Sequence, residues 1–368
     1  MRARSNSTIA VCRVIAALVA FASSAAVAHA SFPASIFAPH STPAHQEHQL
    51  ALFVLGISAL IFLGVSILLI YAIVKFRARP NDDTEPPQVF GSLQIELSWT
   101  IIPILIIVVL FLGTARVLFS VQDAKKPATA LDVVVIGHQF WWEFRYPQYN
   151  VVAANELHVP VHTQAAPRPT FMKLTSADVI HSFWVPQLNG KTDLLPNRVN
   201  EMWIDPETPG VYVGQCAQFC GAQHAKMLLR VSVDTAEDFD KWIKNQQRAQ
   251  AELAEPHVAM ASMANAGSQS GDAIDAIDAR RGQIVFEQQA CINCHAVAGT
   301  VANGRYGPDL THLMSRETLG AGAMANTQEN LLAWIADPNT FKPGCLMPAM
   351  HLNERQNAQI TAYLLSLK

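Results

Sequence analysis

Two groups of residues in this chain carry donor atoms at spacings that suit redox metals. The first is the stretch Cys216-Ala-Gln-Phe-Cys220-Gly-Ala-Gln-His224-Ala-Lys-Met227, with His181 well upstream in Asp178-Val-Ile-His-Ser-Phe-Trp-Val-Pro. Thiolate, imidazole and thioether donors together select copper in an electron-transfer role. A blue-copper site uses a single cysteine, whereas two thiolates in one short loop can bridge two metal ions. The same residues allow two other arrangements. One is a structural zinc on His181, Cys216, Cys220 and His224, which leaves Met227 without a role. The other is a disulfide between Cys216 and Cys220, open to an exported chain. The second group is Cys291-Ile-Asn-Cys294-His295, the C-x-x-C-H pattern of covalent haem c attachment. Thiols one helical turn apart can each form a thioether with a haem vinyl group, and the adjacent histidine offers its ring to the iron. A redox dithiol or half a zinc site is the alternative.

These residues need elements to hold them, and an exported or membrane-bound setting. The chain has 368 residues, half of them hydrophobic, with a formal net charge of -3 and a pI near 6.5. That balance lacks the basic footprint that nucleic-acid binding requires. The first thirty residues have a basic start (Arg2, Arg4, Arg13), an apolar run from Val14 to Val27 and a small-x-small ending at Ala28-His29-Ala30. They form a cleaved export signal over 1–30 or, alternatively, a first anchor. Residues 31–122 contain two runs, about 50–74 and 97–119, the first uncharged and the second carrying only Arg116. Each is long enough to cross a hydrocarbon core of ~30 Å as a helix. Lys75, Arg77 and Arg79 directly after the first run place the connecting loop in the cytoplasm and both ends of the hairpin outside.

Beyond Gln122 the pattern becomes short alternating apolar runs: Leu131 to Tyr146, Glu156 to His162, Thr170 to Leu174, Val199 to Ile204, Val211 to Val213 and Met227 to Val233. This predicts an antiparallel β-sandwich or barrel over 123–247, closed by a helix at Ala236 to Gln247. Residues 248–274, rich in Ala, Ser, Gln and Gly, form a linker. Helices are expected near Asp275 to Gln289, Thr327 to Ile335 and Asn353 to Leu367 in a third domain, 275–368.

Family resemblances sharpen this. Gly282 and Phe286 resemble the first helix of small class I cytochromes c, where the glycine lets the C-terminal helix, here with Tyr363 and Leu364, cross closely. Gly307-Pro308-Asp309-Leu310 is similar to the family loop whose proline carbonyl accepts the Nδ1–H of the proximal histidine. Lys342-Pro343-Gly344-Cys345-Leu346-Met347 resembles the loop that supplies the sixth ligand, a thioether that raises the potential. The resemblance implies Met347 as that ligand, with Met350 the rival, while Cys345 fits no motif.

The Cys216–Met227 loop looks like the binuclear CuA loop of cytochrome c oxidase subunit II, and the likeness extends from about Gln46 to Lys244. It implies that Cys216 and Cys220 bridge the coppers and that His181 and His224 each bind one. Met227 and the Gln218 carbonyl then complete the coordination. A bridged pair shares one delocalised electron, so little reorganises on reduction. Gly137-His138-Gln139 with Trp141 and Trp142 matches the aromatic segment through which electrons reach CuA. Lys191-Thr192-Asp193, Pro196, Arg198 and Asn200 match a loop near the copper and the subunit I interface, and Glu96 matches a glutamate at the mouth of a proton channel into subunit I. Two positions depart from the family. Phe140 stands where a tryptophan is common, which leaves Trp141 and Trp142 as the electron-entry candidates, with a core role the alternative for Trp142. Gln218 stands where a glutamate commonly holds an interface magnesium, and a neutral amide is a poorer ligand for a hard cation.

The fold class expected is thus multidomain: a two-helix transmembrane hairpin, a cupredoxin-like β-sandwich and an all-α class I cytochrome c domain. The implied function is electron intake for a haem-copper oxidase in a bacterial inner membrane, with both redox domains on the periplasmic side. The resemblance implies binuclear CuA and covalent haem c as cofactors, and subunits I and III and an upstream donor as partners. An anchored redox carrier outside any oxidase is the alternative. Nitrous oxide reductase would need a propeller domain for which the chain has no room, and quinol oxidase subunits II lack the copper ligands.

Overall fold

The computed structural model of the chain describes residues 35–77, 85, 88, 90–164, 167–253 and 272–368. The expected signal segment and most of the linker lie outside these residues.

Helices α1 (Thr42–Lys75) and α2 (Leu93–Gln122) contain the two expected spans but are longer, at 34 and 30 residues. Their apolar side chains face outward along both helices, the surface that lipid would cover. The added turns are polar and hold on to the next domain, so hydropathy alone does not register them. Thr42 Oγ1 donates to Asp205 Oδ2 (3.2 Å), His45 meets Glu207 (3.1 Å), and Trp203 Nε1 donates to the Val121 carbonyl (2.7 Å).

Ten strands follow: β1 (Leu131–His138), β2 (Trp141–Tyr146), β3 (Val151–Ala154), β4 (Glu156–Pro160), β5 (Thr170–Ser176), β6 (His181–Trp184), β7 (Thr192–Leu194), β8 (Asn200–Ile204), β9 (Gly210–Cys216) and β10 (Leu228–Asp234). They form two five-stranded sheets, ordered β3-β2-β1-β5-β8 and β4-β10-β9-β6-β7. The expectation of a purely antiparallel sandwich is corrected at two places: β1 pairs with β5, and β4 with β10, in parallel. Alternation specifies which face is buried and leaves strand direction open. The run Leu131 to Tyr146 is also two strands, turned back on themselves at Gln139 and Phe140. Leu131, Val133, Val135, Trp142, Phe144, Leu157, Met172 and Leu174 fill the space between the sheets. Each such side chain contributes about 1.5–3 kcal/mol of burial. Helix α3 (Ala236–Leu253), capped by Thr235 Oγ1 accepting from the Asp238 N–H, closes the sandwich with Phe239 and Ile243.

The last domain has helices α4 (Asp272–Gln288), the single turn α5 (Cys291–Cys294), α6 (Gln328–Ala336) and α7 (Glu354–Leu365), around a core of its own. Gly282 is where α4 and α7 cross: a Cβ there would stand 1.9 Å from the Gln359 carbonyl oxygen. Phe286 and Tyr363 then meet with ring centroids 5.6 Å apart. Thr327 caps α6, and an Asn353–Gln356 capping box starts α7. Beside its helices the domain carries a short antiparallel pair, β11 (Thr318–Leu319) and β12 (Met324–Ala325), with Leu319 in the domain's core.

Candidate redox centres

The copper-type donors are brought together by adjacent strands. Strand β6 starts at His181 and pairs with the end of β9, Phe183 opposite Cys216. The chain then loops through Gly221, whose φ of 128° favours glycine, and a short helical turn at His224–Lys226 into β10. The Cys216 N–H donates to the Met227 carbonyl (3.0 Å) and closes the loop. Cys216 Sγ lies 3.9 Å from Cys220 Sγ and 3.9 Å from His181 Nδ1, while Cys220 Sγ lies 3.8 Å from His224 Nδ1 and 3.9 Å from Met227 Sδ. The Gln218 carbonyl is 3.1 Å from Cys216 Sγ, and its side chain faces solvent. His181, Cys216, Cys220 and Met227 are all buried.

This geometry separates the three arrangements. A sulfur separation of 3.9 Å is far from the ~2.05 Å of a disulfide. A single tetrahedral zinc needs its four donors mutually close. His181, Cys216 and Cys220 have donor atoms within 4.8 Å of one another, but His224 joins this group only through Cys220. Donors therefore lie around both sulfurs, His181 and the Gln218 carbonyl next to Cys216, His224 and Met227 next to Cys220, more than one tetrahedral ion can use. That set fits two ions bridged by the two thiolates.

Asp178 fixes the ring of His181: its Oδ1 accepts from Nε2 at 2.8 Å, which leaves Nδ1 aimed at Cys216. Gly137 makes room for that ring, since a Cβ there would come within 2.7 Å of it. Burial alone would lower the His181 pKa, but hydrogen bonds to Asp178 and Cys216 outweigh it and raise it. The Cys220 thiol donates to Cys216 and draws the Cys216 pKa well below the usual thiol range. One of the two sulfurs is thus readily ionised, as a metal-binding thiol must be.

At the other centre, Cys291 and Cys294 occupy the turn α5, half-buried. His295 Nδ1 donates to the Pro308 carbonyl at 2.8 Å, so Nε2 carries no proton and is free to bind iron. Gly307 lies flat against this ring, its missing Cβ 2.5 Å from Cε1. Burial pulls the His295 pKa down and keeps the ring neutral. Met347 and Met350 both lie, half-buried, in the irregular segment before α7, and the Cys345 thiol bonds to the Met347 carbonyl (3.5 Å). The attachment motif and its histidine partner fit haem c.

Comparison with known proteins agrees with both centres. Residues 30–116 match the family model for the cytochrome c oxidase subunit II transmembrane domain, 163–234 that for its periplasmic domain, and 279–368 that for cytochrome c. Cytochrome c oxidase subunit 2 of Alkalihalophilus pseudofirmus is 36% identical over 317 residues, covering 85% of this chain and 84% of the relative. The chain belongs to the cytochrome c oxidase subunit II family. Subunit 2 of Bacillus sp. strain PS3 is 32% identical, with 80% of each chain covered. The periplasmic domain of the Bradyrhizobium japonicum subunit II, a solved structure, is 28% identical over 34% of this chain and 96% of its own, with a TM-score of 0.31. The protein is therefore a two-span membrane subunit of an oxidoreductase complex, and its cofactors are CuA and haem c.

Trp141 and Trp142 differ in setting. Trp142 is core, edge-on to His181 and Phe183 at 6.2 and 5.7 Å. Trp141 stacks on His138 at 4.2 Å, and its Nε1 donates to the Tyr306 carbonyl of the cytochrome domain (3.3 Å). His138 is held in turn by buried Glu143 (3.0 Å). Glu96 lies exposed in the first turn of α2, where an acid suits the helix dipole, and joins neither centre. Arg198 and Val199 form part of an exposed edge beside β7. The sequence reading gave no role to Asp178, Glu143 or the contacts between the two redox domains. Asp178 was detectable, as an acid three residues before a candidate ligand.

Proposed function

We propose that this subunit is where electrons enter a haem-copper oxidase. When bound, haem c and CuA supply the one-electron carriers between an outside donor and subunit I, where dioxygen is reduced to water. Cys291 and Cys294 would hold the haem covalently, and His295 and Met347 would supply donors to its iron. Cys216 and Cys220 would hold the copper ions together with His181, His224, Met227 and the Gln218 carbonyl. The observation that carries this reading is the convergence of four further donors on a buried thiol pair, next to a domain with a haem-attachment motif. The residue chemistry supports the rest. Asp178 keeps Nδ1 of His181 bare, Pro308 does the same for Nε2 of His295, and the packed sandwich keeps water from the copper donors. Trp141 stands at the contact between the two domains, as a conduit residue should. Glu96 serves proton uptake into subunit I, and the edge around Arg198 and Asn200 faces that subunit; subunit III completes the assembly. Residues 1–30 are the export signal, and the linker is shorter than the 248–274 read from the sequence, because helix α3 continues to Leu253 and α4 begins at Asp272.

The test is purification from membranes under mild detergent. Co-purification with a multispanning haem protein, and oxygen uptake that persists without added soluble cytochrome, are expected. A chain that purifies alone, with haem c and copper but no such partner, would instead be an anchored redox carrier.

A further inference from the structure

The short hairpin β11–β12 on the cytochrome domain makes contacts that its own domain does not require. Glu156, at the start of β4 in the sandwich, is buried, with 5% of its surface exposed. Its carboxylate accepts the N–H of Glu317 (2.9 Å), the N–H of Thr318 (2.9 Å) and the Thr318 hydroxyl (2.8 Å), all from the other domain. A buried carboxylate is tolerated only with such partners, so its burial and the seating of this hairpin depend on each other. The hairpin tip is three consecutive residues with positive φ: Gly320 (62°), Ala321 (59°) and Gly322 (80°). Ala321, a residue that disfavours this region, is buried there, and its carbonyl accepts the N–H of Leu228 (3.2 Å), the residue after Met227. Gly322 lies so close that a Cβ would stand 3.0 Å from that of Leu228. Beneath the tip, the buried Lys342 ammonium bridges the Gly320 carbonyl (2.9 Å) and the Phe140 carbonyl (3.4 Å). Arg230 pairs with Glu317 (2.8 Å) at the edge.

We propose that β11–β12 is a docking strap that seats the cytochrome domain on the copper loop through Glu156 and Leu228, making the fused domain the standing donor and covering Trp141 against soluble ones. This deepens the electron path proposed above and rests on it. A linker alone raises the concentration of the donor domain; the strap also selects its orientation. Trp141 is 8% exposed beneath Tyr306, so an added soluble cytochrome has to reduce the fused domain instead of the sandwich.

The test uses the full-length chain in detergent. Hydrogen exchange is expected to show protected amides at Thr318 and Leu228. Glu156→Ala should speed exchange over 317–322 at least tenfold while leaving copper and haem spectra unchanged, and Glu156→Gln should keep much of the protection. With both cofactors present, Glu156→Ala should slow haem-to-copper transfer at least tenfold and speed direct reduction of copper by soluble cytochrome c. Thr318→Val, which removes one donor without burying a new group, should move both readouts the same way by a smaller factor. Exchange and transfer within twofold of the unaltered chain in both Glu156→Ala and Thr318→Val would overturn the strap. No haem-to-copper transfer in the unaltered chain would overturn the electron path instead, with exchange still deciding the docking.

Discussion

The copper and haem centres are built on opposite plans. The sandwich holds its donors in mutual contact, sulfur to sulfur and sulfur to imidazole at 3.8–3.9 Å, because ions of this size require ligands that converge. The cytochrome domain spreads its own over α5, the Pro308 loop and the segment before α7, because a macrocycle has to fit between them. Protein geometry alone can therefore identify a metal-ion site, whereas a macrocycle site is identified by its attachment chemistry.

Cutting one bridge gives the largest effect that could break this contrast. Cys220→Ser should abolish binding of both copper ions and leave the covalent haem intact, checked by metal analysis and the haem spectrum; retention of one tightly held ion would point to a mononuclear site. At the haem, Met347→Ala should eliminate the low-spin, methionine-ligated spectrum while the thioethers survive, and Met350→Ala should not. The reverse outcome would reassign the axial ligand.

Asp178→Asn sharpens the comparison from outside the ligand set. It weakens the partner that orients His181, so copper affinity should fall about 10–100-fold in a chelator competition. Smallest is a pH effect at the domain contact. Burial pushes the Lys342 pKa down to about 8, against an ordinary value of 10.5. The docked state then binds fewer protons than the undocked one between these values, so docking should tighten as pH rises from about 8 to 10.5. The gain is at most about tenfold per pH unit, with little change below 8. Exchange of the Thr318 amide, corrected for its intrinsic pH dependence, measures this, and Lys342→Met should remove the trend.

The sequence exposed the chemistry more fully than the architecture. The cysteines, histidines and methionines sit in compact motifs whose spacing is dictated by the groups they hold, so His181 and the Cys216–Met227 loop were legible together. Helix crossing at Gly282 and the Pro308 bond to His295 were legible through the resemblance to small class I cytochromes c. The polar first turns of α1 were not, because they are stabilised by Asp205 and Glu207 and not by lipid. Nor were the parallel pairings of β1 and β4, whose partners alternation cannot name. Glu156, Leu228 and Lys342 lie far apart along the chain, and no motif pairs them; only the fold brings them to one interface.

The most direct test of the paired-copper, covalent-haem account is metal analysis of the purified full-length chain, combined with visible and near-infrared spectroscopy. One covalent haem c and two copper ions sharing a single reducing electron are expected. One zinc and no copper, or a sandwich that remains colourless after copper loading, would contradict it.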